Sequence, residues 1–206
     1  MEKFTRLEGV AAPLMRQNVD TDVVIRIERL VNLSKAELGP WCFESLRYRP
    51  DGTENPDFVC NQPPWRGAPI LLAGDNFGCG SSREGAIWAL MGMGIRAVIA
   101  PGFGDIFYNN CFQNGLLPVA LPRAEVERLA EETRAAPGNA RVTIDLERQM
   151  VISPRGREIP FEIDARRRQA MLDGLDAIGI TLAHKDRIAV WQARDHTDRP
   201  WVWFSH

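Results

Sequence analysis

The chain has 206 residues, 45% of them hydrophobic and 25% charged, the proportions of a folded globular protein and not of a disordered or fibrous one. Its net charge of −2, with Lys and Arg scattered along the sequence, excludes the basic footprint of a nucleic-acid or anionic-membrane binder and leaves a small molecule or another protein as partner. The length suits a single domain over residues 1–206, and no linker separates two cores.

The opening MEKFTRLEGVAAPL lacks a basic region followed by an unbroken apolar run, and no later stretch is long and apolar enough to span a membrane, so a cytoplasmic protein is expected. Residues 31–69 carry turn formers at close intervals (Gly39-Pro40, Pro50-Asp51-Gly52, Asn55-Pro56, Pro63-Pro64) and are expected to form a long irregular excursion on the surface. Excursions of that length are often functional.

A βαβ pattern follows: an apolar strand over 70–73, a Gly-rich loop, a helix over about 82–93 and a second strand over 97–100. Ala86, Ile87, Leu90 and Met93 recur at helical spacing and should face the sheet, with Arg83 and Glu84 at the helix entrance and Gly92 and Gly94 at its end. Residues 123–136 read as an amphipathic helix stopped by Pro137-Gly138. Three β-rich pieces, 141–146, 150–153 and 158–163, suggest a small antiparallel addition to the parallel unit. Helices over about 165–173 and 184–195 close the chain, the first with Arg166-Arg167-Arg168 as a solvated face. The mixed order argues for a layered α/β domain.

Gly78-Cys79-Gly80-Ser81-Ser82-Arg83-Glu84 lies between a strand and a helix, where free backbone N–H groups and the helix dipole favour an anion. Ser81 and Glu84 have the spacing of a capping box, which explains part of the segment. A cap alone leaves the second serine, the arginine and the two glycines unexplained, whereas Arg83 adds a bidentate clamp for a carboxylate. The Gly-Lys-Ser/Thr of a Walker loop is absent, Arg83 stands where a dinucleotide fingerprint needs glycine, and a nucleophile elbow needs a different spacing. With histidines only at 184, 196 and 206, a His-activated serine is poorly supported, and His184 suits a helix start. Cys42, Cys60, Cys79 and Cys111 are dispersed without a CxxC pair, so packed thiols are expected and neither zinc nor iron–sulfur ligation by this chain. Phe77 and Trp88 are read as packing residues.

These residues also carry a resemblance. NVDTD (18–22), NPDFV (55–59), ILLAGDNFGCGSSRE (70–84), VIAPGFGDIFYNN (98–110), GLLPV (115–119) and FEIDARRRQAMLDGLDAIGITL (161–182) resemble, in one order, the aconitase superfamily and within it the small subunits of 3-isopropylmalate dehydratases. The resemblance implies a swivelling β/β/α three-layer domain, with a βαβ core and a small antiparallel β addition, that covers a separate large subunit carrying a [4Fe–4S] cluster. It implies Ser81 as the catalytic base, Gly80, Ser82 and Arg83 as substrate-binding residues, and the loop with Thr21 and Asp22 as a second site-facing element. No metal or cofactor is then expected on this chain itself. The implied reaction is dehydration and rehydration of 2- and 3-isopropylmalate, a step of leucine biosynthesis; the alternatives are citramalate/citraconate or 2,3-dimethylmalate as substrate, or a stand-alone carboxylate-binding module. Ile25-Arg26-Ile27 stands where the family usually has Ile-Pro-Lys, losing the proline and moving or replacing the basic residue, and Gly85 and Gly102 stand where histidine and serine are usual.

Overall fold

The computed structural model describes residues 1–80 and 84–203. Strand β1 (Arg6–Leu14) opens the chain, followed by the short helices α1 (Thr21–Val24) and α2 (Ile27–Asn32). Two 3₁₀ turns, helix α3 (Glu44–Arg47) and a third 3₁₀ turn lead to β2 (Ile70–Ala73). Helix α4 (Gly85–Gly92) and strand β3 (Ala97–Ala100) complete the anticipated βαβ unit. A second α-helix and strand, α5 (Asp105–Asn114) and β4 (Leu117–Ala120), extend it. Helix α6 (Arg123–Ala135) precedes the antiparallel strands β5 (Arg141–Asp145), β6 (Met150–Ile152) and β7 (Glu158–Pro160), and α7 (Ala165–Asp173), α8 (Ala177–Leu182) and α9 (Lys185–Asp198) follow.

The seven strands form one mixed sheet in the order β4-β3-β2-β1-β5-β6-β7. Strand β1 is the pivot. Its first half, Arg6 to Val10, pairs antiparallel with β5, and its second half, Ala11 to Leu14, pairs parallel with β2. The strand prolines fit this topology, because proline cannot donate to a ladder. Pro13 lies beyond the register of β5, while Pro118 and Pro160 sit in the two edge strands.

Period-two alternation splits the core between the two faces. Ala12, Leu71, Ala73, Val98 and Ala100 join α4 and the 24–68 segment in one cluster; Ala11, Ile70, Leu72, Ala97 and Ile99 join α6, the antiparallel strands and Met171 of α7 in the other. Helix α4 follows the expected face, with Ala86, Ile87 and Leu90 fully buried and Met93 packed at the margin.

Two expectations need correction. Residues 31–69 are irregular but do not simply run over the surface: Leu38, Cys42, Phe43, Phe58 and Cys60 are buried and form a cap over α4. Its helical turns are too short to show periodicity in the sequence. Arg166-Arg167-Arg168 is not a uniformly solvated face. Arg167 donates to Asn109 Oδ1 at 2.6 Å and lies over the Phe112 ring, and Arg168 donates to the carbonyls of Leu146 and Glu147, so two of the three fasten α7 to its neighbours. The described part of α4 begins at Gly85, with Glu84 as its N-cap, and the expected start at Ser82 lies outside the described residues.

Candidate active site

Open α/β sheets bind ligands beyond the carboxyl ends of their parallel strands. Three loops meet there: 15–20 after β1, 74–80 after β2 and 101–104 after β3. The middle loop lies between the other two and bonds to both. Asn18 N–H donates to Asp75 C=O at 2.9 Å, Gly78 N–H to Val19 C=O at 2.7 Å, and Thr21 N–H to Cys79 C=O at 3.0 Å. On the other flank Phe77 N–H donates to Gly102 C=O at 3.0 Å, and Gly104 N–H to Phe77 C=O at 2.9 Å. Asn18 and Asn76 both have positive φ, 51° and 57°, and their side chains pair at 2.9 Å. Asparagine tolerates that region better than most residues.

Two glycine positions fix the approach of these loops. Gly78 has φ +72°, and a Cβ there would fall 2.2 Å from the Phe107 ring, while a Cβ on Gly104 would fall 2.5 Å from Gly78 O. Gly85 opens α4 directly beneath Leu30, whose Cδ2 would lie 2.3 Å from an added Cβ. Leucine 30 thus fills the space beside Gly85, the position where the resemblance leads one to expect histidine. Gly102 faces Asp75 Oδ1, 2.9 Å from the place of a Cβ, and Asp75 pairs with Arg123 at 2.8 Å.

Thr21 and Gly80 come together: an added Cβ on Gly80 would lie 3.8 Å from Thr21 Oγ1. Thr21 is buried at 6% exposure, whereas Asp22 is exposed. Asp20 accepts from Val23 N–H at 2.7 Å and so caps α1, making it a structural residue of the same loop. Ser81, Ser82 and Arg83 lie outside the described residues; they occupy the chain between Gly80 and Glu84. Glu84 Oε1 accepts from Asn114 Nδ2 at 3.1 Å, and Asn114 Oδ1 accepts from Trp88 Nε1 at 2.8 Å. That chain ties α4 to α5. Phe77 is fully buried with its ring edge-on to Phe107, as its packing role requires.

Of the four cysteines, Cys42, Cys60 and Cys111 are buried, and burial raises their thiol pKa values, Cys60 to about 12. Such thiols resist the deprotonation that metal ligation needs. Cys79, in the Gly-rich loop, is the partly exposed one. A cleft of about 690 Å³ lies in the cap, lined by Arg26, Trp41, Glu44, Tyr48 and Arg49. Arg29 borders it, stacked over Trp41 and paired with Glu44 at 2.7 Å, which holds the Glu44 carboxyl below its ordinary range. Of the anticipated substrate residues, Thr21 and Gly80 stand together at the strand ends instead.

The parallel half of this mixed sheet and its three interlocked loops fall within residues 1–124, which the family model described as Aconitase C-terminal domain matches. A second model, LeuD_N, matches residues 127–165. The 3-isopropylmalate dehydratase small subunit of Gluconacetobacter diazotrophicus is 53% identical over 201 residues, covering 98% of this chain and 97% of that protein. The protein of the same description from Rhodospirillum centenum is also 53% identical, over 98% of this chain and 99% of its own. The crystal structure of a 3-isopropylmalate dehydratase (leuD) from Methanocaldococcus jannaschii superposes with a TM-score of 0.64 at 26% identity, covering 92% of this chain and 99% of that one. The chain belongs to the family of 3-isopropylmalate dehydratase small subunits.

Proposed function

We propose that this chain is the small subunit of a hydro-lyase that interconverts 2- and 3-isopropylmalate in leucine biosynthesis, closing over a large subunit that holds a [4Fe–4S] cluster. The observation that carries the reading is the seam in which Gly78 N–H meets Val19 C=O and Thr21 N–H meets Cys79 C=O, which sets Thr21 beside the loop leading into Ser81-Ser82-Arg83. When bound, the cluster supplies Lewis acidity toward the substrate hydroxyl. The rest falls to this chain.

Arg83 pairs with a substrate carboxylate through its planar fork, and Gly80, Ser82, Thr21 and Asp22 shape the surrounding pocket. Ser81 takes the proton from the carbon beside the one that loses hydroxide, so that water leaves and an alkene diacid remains. Readdition of water at the other carbon completes the isomerisation. A serine hydroxyl is a weak base, so its alkoxide needs N–H donors and the positive end of α4, in a site from which water is excluded.

The test is assembly with the large subunit from the same source, anaerobic cluster reconstitution and an assay of 3-isopropylmalate dehydration and of hydration of the alkene diacid. Ser81→Ala is expected to lower kcat by at least about 10²-fold, the scale of a lost general base, with subunit association unchanged. Near-full turnover by that variant would reject Ser81 as the base. Arg83→Lys should chiefly raise KM, because a point charge replaces a two-bond fork.

A further inference from the structure

Residues 175–203 form a helical arm that the rest of the domain does not cover. In it Ile178 is 70% exposed, Leu182 60%, Val190 73%, Trp191 56% and Trp201 71%. The principal packing of α9 among the described residues is on the 3₁₀ turn Pro200–Val202, where Asp195 accepts from Arg199 and from Trp203 Nε1 at 3.0 Å. The arm is therefore internally fastened while its apolar side faces outward. Between α8 and α9 runs an open groove of about 450 Å³ lined in part by Ile180, Ile188 and Trp191. An ordered apolar surface of this extent marks an interaction site.

The occupant follows from what the arm adds to the domain. Both family models end by residue 165, so the arm lies beyond the module named for the C-terminal domain of aconitase. Yet the relatives that share this chain's full length, at 98% coverage, are separate small subunits. A domain within a longer chain meets its partner at the high effective concentration set by a linker; a separate subunit has no linker and must supply that association free energy through contacts. The arm carries four cations (Lys185, Arg187, Arg194, Arg199) against four carboxylates (Asp176, Asp186, Asp195, Asp198). A charge-balanced surface bearing tryptophans binds by apolar burial more than by electrostatic attraction.

We propose that the arm of residues 175–203 is the element by which this chain grips its large subunit, in place of a covalent linker. The inference rests on the small-subunit reading above. It is tested by measuring the affinity of the full-length chain for the large subunit, by sedimentation or calorimetry, for wild type, the double variant Ile178→Asp/Trp191→Asp, and Trp201→Ser, which leaves both helices untouched. Circular dichroism of each variant checks that the fold is kept. The double variant should bind at least about 100-fold more weakly, and Trp201→Ser about 10-fold, with kcat restored at saturating small subunit and little dependence on salt. Wild-type affinity in folded variants would overturn the proposal, as would variants that lost only self-association, since the arm would then join two copies of this chain. If wild type failed to bind the large subunit at all, the small-subunit reading itself would fall.

Discussion

Gly85 and Leu30 are a matched pair, and their coupling can be measured. With Leu30 Cδ2 only 2.3 Å from a Cβ at position 85, Gly85→Ala overpacks the entrance of α4. Overpacking costs about 1–3 kcal/mol, while alanine in place of glycine returns up to about 1 kcal/mol of helix propensity. Gly85→Ala should therefore destabilise the chain by about 1–2 kcal/mol, and the same change in a Leu30→Ala background should be neutral or stabilising. Urea unfolding of the four proteins of that cycle decides it, and additive effects would show that Leu30 yields without cost. Thiol chemistry gives a second residue-scale test. Cys42, Cys60 and Cys111 are buried with raised pKa values, and Cys79 is partly exposed. An aromatic disulfide reagent at pH 8 should find one fast thiol in the native chain, and Cys79→Ser should remove it.

At the scale of elements, α6 and the β6–β7 hairpin are joined by a buried carboxylate. Burial raises the Glu132 pKa, but hydrogen bonds from Ser153, Arg157 and the Arg155 N–H outweigh it, so the net shift is below the ordinary 4.5. A depressed folded-state pKa gives stability that is present above the unfolded value and lost as pH falls through the folded one. Stability should thus decline as pH drops below about 4.5, and Glu132→Gln should lose about 2 kcal/mol at pH 7 while flattening that decline. Thermal unfolding from pH 7 to pH 3 measures both, and an unchanged acid limb in the variant would assign the decline to other carboxylates. The elements legible in the sequence were those with a local signal: the apolar runs of β2 and β3, the amphipathic α6, the β-rich pieces of β5, β6 and β7 between turn formers, and the helices α7 and α9. Strands β1 and β4 were not legible because Pro13 and Pro118 demote them locally, and only the sheet order shows that each proline sits where a ladder donor is not required. Helix α5 is rich in Asn and aromatic residues, weak helix formers; its context supplies what propensity does not, with Phe107 and Cys111 buried and Gly115 at φ +85° ending it. In the candidate site the sequence pointed to the Gly-rich loop and, through family resemblance, to Thr21. The Asn18–Asn76 pair and the 101–104 loop were not anticipated, although two asparagines beside turn residues are a readable sign of left-handed backbone.

At the scale of the whole molecule, stability and function are unevenly distributed. Strands β2 and β3 are fully buried interior strands of the sheet, with helices over both faces, and every loop of the candidate site hangs from the parallel half that contains them. Their amides can exchange with solvent only through global unfolding, at a cost of about 5–15 kcal/mol. In the arm, α8 and α9 have almost no buried residue, Asp195 excepted, and open without disturbing the sheet. Hydrogen exchange of the isolated chain should accordingly show the amides of β2 and β3 as the slowest and those of α9 at least about 10³-fold faster. The 19–21 and 76–80 backbones, bonded to each other, should fall between. An arm as slow as the central strands would mean that the domain covers it in solution, and the exposed tryptophans would then belong to this chain's own core. With the arm fast and the strands slow, the molecule is a rigid platform for the site carrying a loosely held helical extension, the division of labour expected when one part must position chemistry and another must find a partner.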